Sequence, residues 1–226
     1  MKLVFSGLES PVVIERRAVK TLEVENCHLF TNLCRSILSG KGDAIEPYSL
    51  WDDEGEEITP ANSMLVVSDP LRLPWDSKEL LGKLLDTMDN LLREDEETVQ
   101  SLEEYGSYLS SVILRAAHQF GCDYRFAIEW GARQYLKAFS FSVDRCETDS
   151  YLDSLMKFLD FASDMGLEKL LVFINLKTFL EKTEYELFLE RAVFLGFHVL
   201  LLENKRDCLK HSFEDKMVVD QHFLEF

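Results

Sequence analysis

Three short apolar segments near the end of the chain constrain its fold most. They are KLLVFINLK (169–177), HVLLLE (198–203) and KMVVD (216–220). Segments of this length, in which hydrophobic residues follow one another without alternation, are typical of strands buried on both faces of a parallel sheet. Thr183 and Glu186 have the spacing of a capping box and predict a helix between the first two segments. A strand–helix–strand unit predicts a right-handed crossover, so we expect an α/β fold with a parallel sheet.

The first third of the chain also contains strand patterns. SMLVVSD (63–69) predicts a further buried strand, and Asn26 is a suitable N-cap for a helix through about Leu38. The segments KLVF, PVVIE and KTLEV lie within the first 24 residues and predict a small antiparallel element. Residues 43–57 contain seven acidic residues and no basic residue, which is typical of a solvated loop or edge.

A helical stretch lies between these strand-rich parts. Asp76 and Glu79 form a capping-box pair and predict the start of a long helix. Further helical stretches are predicted from about Tyr105 and over 124–139. The first helix carries an apolar stripe that we expect to be buried between helices, formed by Leu81, Leu85, Met88 and Leu92.

Together these patterns predict an α/β head interrupted by a helical insertion. The first part of the head is predicted to be residues 1–75, the α-helical leg residues 76–139, and the second part of the head residues 140–226. A helix over 148–165 would lead from the insertion back into the sheet.

The charge of the chain restricts which partners it attracts. Its 24 basic and 41 acidic residues give a net charge of −17, so any binding of nucleic acid has to use local basic patches or cations that mask the acidic residues. The five cysteines contain no C-x-x-C pair, which favours reduced thiols in a cytoplasm. MKLVFSGLESPVV lacks an apolar signal core, and no apolar stretch approaches about 18 residues. We therefore expect a cytoplasmic protein without membrane contact.

The sequence argues against nucleotide chemistry. A P-loop needs G-x-x-x-x-G-K-[ST], and neither Gly40–Lys41 nor Gly82–Lys83 completes it. The strand 169–177 ends in Asn175, where a nucleotide hydrolase often has a magnesium-binding aspartate. G-x-S-x-G is also absent. We therefore predict no nucleotide cofactor and neither nucleotide hydrolysis nor serine-hydrolase activity.

Two groups of basic residues are candidates for phosphate contact. Arg125, Glu129, Arg133 and Lys137 follow at steps of four and would share one helix face. Such a series is more often a salt-bridge ladder than a phosphate-binding face. Lys205 and Arg206 follow the strand HVLLLE, and Lys177 would lie at the same edge if the strands are parallel. Ligands bind at that edge in open α/β sheets, although solvated loop lysines are the commoner explanation.

The order and spacing of five segments resemble the Csn-two family, the type II-A CRISPR-associated spacer-acquisition proteins. The matching segments are KLVFSGLESPVVIE, MLVVSDPL, KLLVFINLKTFL, HVLLLENKR and KMVVD. They lie on both sides of the predicted insertion. The resemblance implies a head related to P-loop proteins but lacking their phosphate loop, with an inserted helical leg.

The resemblance also implies a function without enzymatic activity. It implies a ring-shaped homotetramer that binds the ends of double-stranded DNA through a basic central hole, in the cytoplasm of a bacterium. It further implies action beside the CRISPR integrase proteins and the type II effector nuclease. The DNA-binding candidates in this sequence are Arg125, Arg133, Lys137, Lys177, Lys205 and Arg206.

Calcium is implied by the resemblance but fits this sequence poorly. The predicted bend of the leg, HQFGCDYRFAIEWGARQ, offers only Asp123 and Glu129 as acidic ligands, beside Arg125 and Arg133. Ca²⁺ prefers about six to eight oxygen ligands. We therefore expect weak dependence on calcium, with arginine in the structural role of the metal. Two alternatives stay open: an acidic protein-interaction scaffold for the adaptation complex, and a degenerate nucleotide hydrolase.

Overall fold

The computed structural model describes residues 1–145 and 149–226. The chain divides into two compact units, which we call the head (Met1–Pro74 and Arg145–Phe226) and the leg (Trp75–Asp144). The predicted insertion, 76–139, lies within the leg. Cys146 and the predicted helix start at residue 148 lie outside the described residues.

The bounds of the elements follow the chain in order. The strands are β1 Lys2–Phe5, β2 Val12–Val13, β3 Val19–Val24, β4 Tyr48–Trp51, β5 Glu57–Ile58, β6 Met64–Val67, β7 Leu170–Ile174, β8 Val199–Glu203 and β9 Glu214–Val219. The helices are α1 Cys27–Ser39, α2 Pro60–Ser63, α3 Lys78–Arg93, α4 Glu96–Ala117, α5 Ala132–Ala138, α6 Tyr151–Asp164 and α7 Lys182–Phe194, with a 3₁₀ turn at Leu176–Phe179.

A parallel sheet with the order β6-β7-β8-β3-β9 forms the centre of the head. The four segments predicted as buried strands from their apolar residues are β6, β7, β8 and β9, so the predicted α/β class is confirmed. β1, β2, β4 and β5 form a separate antiparallel sheet.

β3 differs from the sequence-based prediction. The segment KTLEV was predicted to be antiparallel, but it pairs in parallel with both β8 and β9. All six residues of β3 are buried, including Thr21 and Glu23. The alternation of polar and apolar residues, which usually indicates one solvated face, here arises because the polar side chains enter a buried network.

Each face of the parallel sheet is covered by other elements. On one face α1 packs with the antiparallel sheet into a single apolar core. On the other face Phe188 of α7 lies edge-on to Phe173 of β7, with 5.7 Å between ring centroids. The Asn26 side chain caps α1 as predicted. α7 begins earlier than predicted, because Glu184 rather than Glu186 accepts from the backbone at the helix start, Glu181 N.

The leg contains α3, α4 and α5, and α3 contacts both other helices. α3 is capped by Ser77, whose Oγ accepts from Leu80 N, and not by Asp76. Its buried residues are Leu80 and Leu84, whereas the predicted stripe of Leu81, Leu85, Met88 and Leu92 is only half-buried. The apolar face of α3 is broad, so its sequence is compatible with burial of either of two adjacent stripes, the one with Leu80 and Leu84 or the predicted one.

The boundaries of the other leg helices also differ from the predictions. α4 begins at Glu96 with Asp95 as its N-cap, well before Tyr105. Glu96 and Glu97 lie in the first turn of α4, where the helix dipole favours negative charge. The helix predicted over 124–139 is helical only from Ala132, because the residues before it adopt an irregular path in which Trp130 lies against Gly106 of α4.

Candidate nucleic-acid interface

The carboxyl ends of β7 and β8 are joined by the side chain of Asn175. This residue follows β7 in the left-handed conformation, with φ of 56°, which asparagine tolerates better than most residues. Its Oδ1 accepts from the backbone N of Asn204, the residue after β8, at 3.1 Å. The asparagine that stands where a hydrolase would need an acid therefore fixes the geometry of two strand ends.

A group of charged side chains, some fully and some partly buried, lies beside Asn175. The Lys177 ammonium is 2.9 Å from Glu23 Oε1, 2.8 Å from Asp207 Oδ2 and 2.8 Å from Glu214 Oε1. Lys216 pairs with Asp207 and lies 3.5 Å from Glu23 Oε1. We call these five residues the charged network. It joins β3, the 3₁₀ turn, the segment after β8 and β9.

Neighbouring hydroxyl groups complete the hydrogen bonding of the charged network. Thr21 Oγ1 donates to Glu214 Oε1 at 2.8 Å, and the Tyr185 hydroxyl donates to the same oxygen at 2.7 Å. The other oxygen, Oε2, accepts no hydrogen bond among the described residues, and Lys216 Nζ lies 3.6 Å from it. The carboxyl of Glu214 is therefore buried and held mainly through one oxygen.

Burial and pairing shift the pKa values of this region in opposite directions. Burial raises the pKa of Glu203, at the end of β8, to about 7, although its Oε1 accepts from Lys177 N. Burial alone would lower the pKa of Lys177, but the three carboxylates outweigh it and raise that pKa. Burial would raise the pKa of Asp207, but Lys177 and Lys216 hold it well below its usual range.

Lys177 is therefore poorly placed for the phosphate contact predicted from the sequence. Only 15% of its side chain is exposed, and its ammonium already contacts three carboxylates. Removing a buried ammonium from its partners leaves charges unpaired, which is costly. This environment favours a structural role for Lys177 over contact with phosphate.

Lys205 and Arg206 have a different environment at the same sheet edge. Both are exposed and lie on the segment that leads from the end of β8 to Asp207 of the charged network. The Arg206 guanidinium lies 5.9 Å from the ring centroid of Phe226. Because β7 and β8 are parallel, these two residues lie at the same edge of the sheet as Lys177, as predicted. Unlike Lys177, both are exposed to solvent.

The leg residues do not form the predicted series on one helix. Arg133 and Lys137 lie on α5, whereas Arg125 and Glu129 lie in the irregular segment before it. The ladder spacing does not apply because this segment is not helical. Arg133 Nη1 lies 2.9 Å from Asp86 Oδ1 on α3, while Arg125 and Lys137 are exposed.

The predicted metal ligands do not assemble into a calcium site. Asp123 and Glu129 are both exposed and lie on the irregular segment of the leg. Within residues 1–145 and 149–226, no group of three or more His, Cys, Asp or Glu side chains is arranged to hold a metal ion. Because Ca²⁺ needs about six to eight oxygen ligands, the residues present do not fit it.

Four members of the charged network were not predicted from the sequence: Glu23, Asp207, Glu214 and Lys216. One pattern could have indicated part of the network, since a strand otherwise buried, β3, contains Lys20, Thr21 and Glu23. Buried charged residues are paired as a rule, so a charge inside a central strand predicts partners nearby.

Comparisons with known proteins place the chain in a family. The model of the CRISPR-associated protein family Cas_Csn2 matches residues 43–223. The crystal structure of Stu0660 of Streptococcus thermophilus is similar, with a TM-score of 0.64, 17% identity, and coverage of 97% of this chain and 74% of that one.

A second solved structure, a putative ABC transporter ATP-binding protein from Pyrococcus furiosus, matches with a TM-score of 0.37. Its identity is 11%, with 96% of this chain and 97% of that one covered. A comparison with curated proteins gave no match. In the part of the chain that the structure describes, no helix has the length and apolar character needed to cross a membrane. The family match covers well over half of the chain, so this protein belongs to the Cas_Csn2 family of type II-A CRISPR-associated proteins, which take part in spacer acquisition.

Proposed function

We propose that the protein binds the ends of double-stranded DNA without sequence preference, as a non-enzymatic homotetrameric ring acting in spacer acquisition. The observation that carries this proposal, beside the family membership, is the pair of exposed cations at the carboxyl edge of the parallel sheet. Lys205 and Arg206 come one residue after the buried strand β8 and lie on a segment whose Asp207 N donates to Glu23 of the charged network. Cations held in this way suit contact with phosphates, which carry no sequence information.

The charge of the protein supports a short-range mode of binding. At −17 per chain, four chains carry 4 × −17 = −68, so long-range attraction to DNA is not available. Contact through a basic channel would bring the phosphates near the exposed cations while the acidic surface stays outside. Arg125 and Lys137 of the leg are exposed and are further candidates for phosphate contact.

An apolar face of α4 supports assembly with further copies of the chain. Tyr105 is 71% exposed, Tyr108 69% and Leu109 50%, and they lie within one and a half turns of α4. Contiguous apolar surface of this kind favours burial in an interface. We infer that copies of the chain cover this face in the tetramer.

The absence of enzymatic activity is also part of the proposal. The Asn175 amide carries no charge for a general base, and its oxygen is occupied by Asn204 N. Lys177 contacts three carboxylates at the edge where a nucleotide would bind. We further propose a cytoplasmic location in a bacterium and contact with the CRISPR integrase proteins and the type II effector nuclease. The fit of the acidic residues favours, at most, a weak dependence on calcium.

The topology of DNA provides the test. A closed ring admits duplex only over a free end, so we expect linear duplex to bind and a covalently closed circle of the same sequence not to bind. Native mass measured with and without linear duplex should show four chains. Equal affinity for the two forms would contradict the threaded ring.

The strong negative charge favours a second candidate, an acidic scaffold that recruits adaptation partners. Under that alternative, linear duplex would not add its mass to the native assembly, partner binding would not change with DNA, and linear duplex would bind no better than a circle. The same measurements therefore separate the two functions.

A further inference from the structure

We propose that Asp207 is a positioning residue for DNA binding: it anchors the segment 204–209 to the charged network so that Lys205 and Arg206 face the phosphates. This inference rests on the proposed function, and it assigns to Asp207 and Lys177 a role distinct from phosphate contact. The sequence places an acidic residue directly after the two cations, where it would otherwise repel DNA.

The segment is fixed at both ends by contacts that the structure shows. At its start, the backbone N of Asn204 donates to Asn175 Oδ1 at 3.1 Å. At Asp207, the backbone N donates to Glu23 Oε2 at 3.3 Å, and the carboxylate accepts from Lys177 Nζ at 2.8 Å. Lys205 and Arg206 lie between these two anchors.

The Asp207 carboxylate also orders the chain that follows it. Its Oδ1 accepts from Leu209 N at 2.8 Å and pairs with Lys216. Lys216 Nζ in turn donates to Leu209 O at 2.7 Å. A neutral side chain at position 207 would weaken these interactions, because charge-assisted hydrogen bonds are stronger than those between neutral groups.

Without these anchors, the binding of DNA would have to order the segment 204–209. A mobile loop loses conformational freedom when its cations contact DNA, and this loss reduces affinity. A segment that is already ordered avoids the loss. The charged network thus increases the affinity for DNA indirectly, by holding the segment in place, while Lys205 and Arg206 contact the phosphates.

Whether Asp207→Asn strengthens or weakens DNA binding distinguishes a positioning role from a purely electrostatic effect of the carboxylate. Asp207→Asn removes one negative charge beside the cations, so electrostatics alone predicts tighter binding to DNA. Positioning predicts weaker binding. Asp215→Asn is the matched control, because it changes the net charge equally, while Asp215 pairs with Lys20 outside the charged network and its side chain is 58% exposed.

The test measures the affinity of the full-length protein for a short blunt-ended linear duplex at several salt concentrations. We expect Asp207→Asn to bind about threefold to tenfold more weakly than Asp215→Asn. The double variant Lys205→Ala/Arg206→Ala should also bind more weakly. Its log–log salt slope should flatten by about 0.9 for each phosphate that the variant no longer neutralises. Adding Asp207→Asn to the double variant should weaken binding no further, because the positioned cations are already gone.

Several outcomes would overturn the inference. Binding by Asp207→Asn that equals or exceeds that of Asp215→Asn would do so, and so would an equally large additional weakening in the double-variant background. Lys205 and Arg206 are surface residues, so their double variant tests the phosphate contact even if Asp207→Asn fails to fold. Unchanged affinity in that variant overturns the positioning role and excludes Lys205 and Arg206 as the phosphate contacts, whereas binding of linear but not circular duplex would still support the threaded ring with contacts made by other residues. Failure of the unaltered protein to bind any linear duplex overturns both.

Discussion

Among single residues, Glu203 has the environment that most clearly couples the fold to pH. It ends β8, where the preceding residues are apolar, and only 3% of it is exposed. Burial raises its pKa from 4.5 to about 7. The folded state therefore binds the proton more tightly than the unfolded chain. The stability this provides is fully present below pH about 4.5 and is lost as the pH rises through about 7.

Replacement of this carboxyl by an amide tests that coupling. Gln keeps an oxygen that accepts from Lys177 N but cannot ionise, so Glu203→Gln should be more stable than the unaltered protein at pH 8. The difference, of order 3 kcal/mol at most, should shrink as the pH falls toward 5. Urea unfolding across this range measures it, with the exposed Glu104→Gln as control. A stability difference that does not vary with pH would show that Glu203 stays ionised in the fold.

At the scale of elements, prediction succeeded where hydrophobic burial alone determines the structure. β6, β7, β8 and β9 were predicted because their apolar residues are buried in a parallel sheet. β3 was assigned to the antiparallel element because Thr21 and Glu23 alternate with apolar residues, a pattern typical of a strand with one solvated face. The charged network could not be predicted, since Glu23, Lys177 and Asp207 are far apart in sequence and meet only through the sheet topology.

Gly106 of α4 provides a test of packing within the leg. A Cβ at this position would lie 2.3 Å from Trp130 Cδ2, so the indole would have to move. Gly106→Ala should therefore destabilise the leg and shift the fluorescence of Trp130, although alanine has the higher helix propensity. Gly82→Ala on α3 is the matched control, because a Cβ there meets nothing within 4 Å.

The control should gain about 0.5–1 kcal/mol from helix propensity alone. Thermal unfolding together with tryptophan fluorescence separates the two variants. Equal stabilisation by both substitutions would mean that Trp130 does not pack against α4. The same contact explains why the helix predicted over 124–139 was too long: tertiary packing before Gly131, rather than local propensity, determines the path of that segment.

For the whole molecule, net charge determines how divalent cations should act on DNA binding. Each chain carries −17, and within the described ranges no cluster of acidic, histidine or cysteine side chains fits a metal. Divalent cations should therefore act only as counterions that compete with the protein for phosphate, an effect that does not distinguish Ca²⁺ from Mg²⁺.

We accordingly expect Ca²⁺ and Mg²⁺ at equal concentration to weaken the binding of linear duplex to a similar degree, because both compete with the protein's cations for phosphate. Adding a chelator should return the affinity to the value measured before the divalent cation was added. Replacing Asp123 and Glu129 together by Asn and Gln should leave the ratio of the two cation effects unchanged, because these exposed side chains form no cage. A stimulation specific to Ca²⁺ at micromolar concentration would instead require a site whose ligands come from several chains or from the acidic residues over 43–57. In that case the ring would depend on the metal for its assembly, and native mass would fall on chelation.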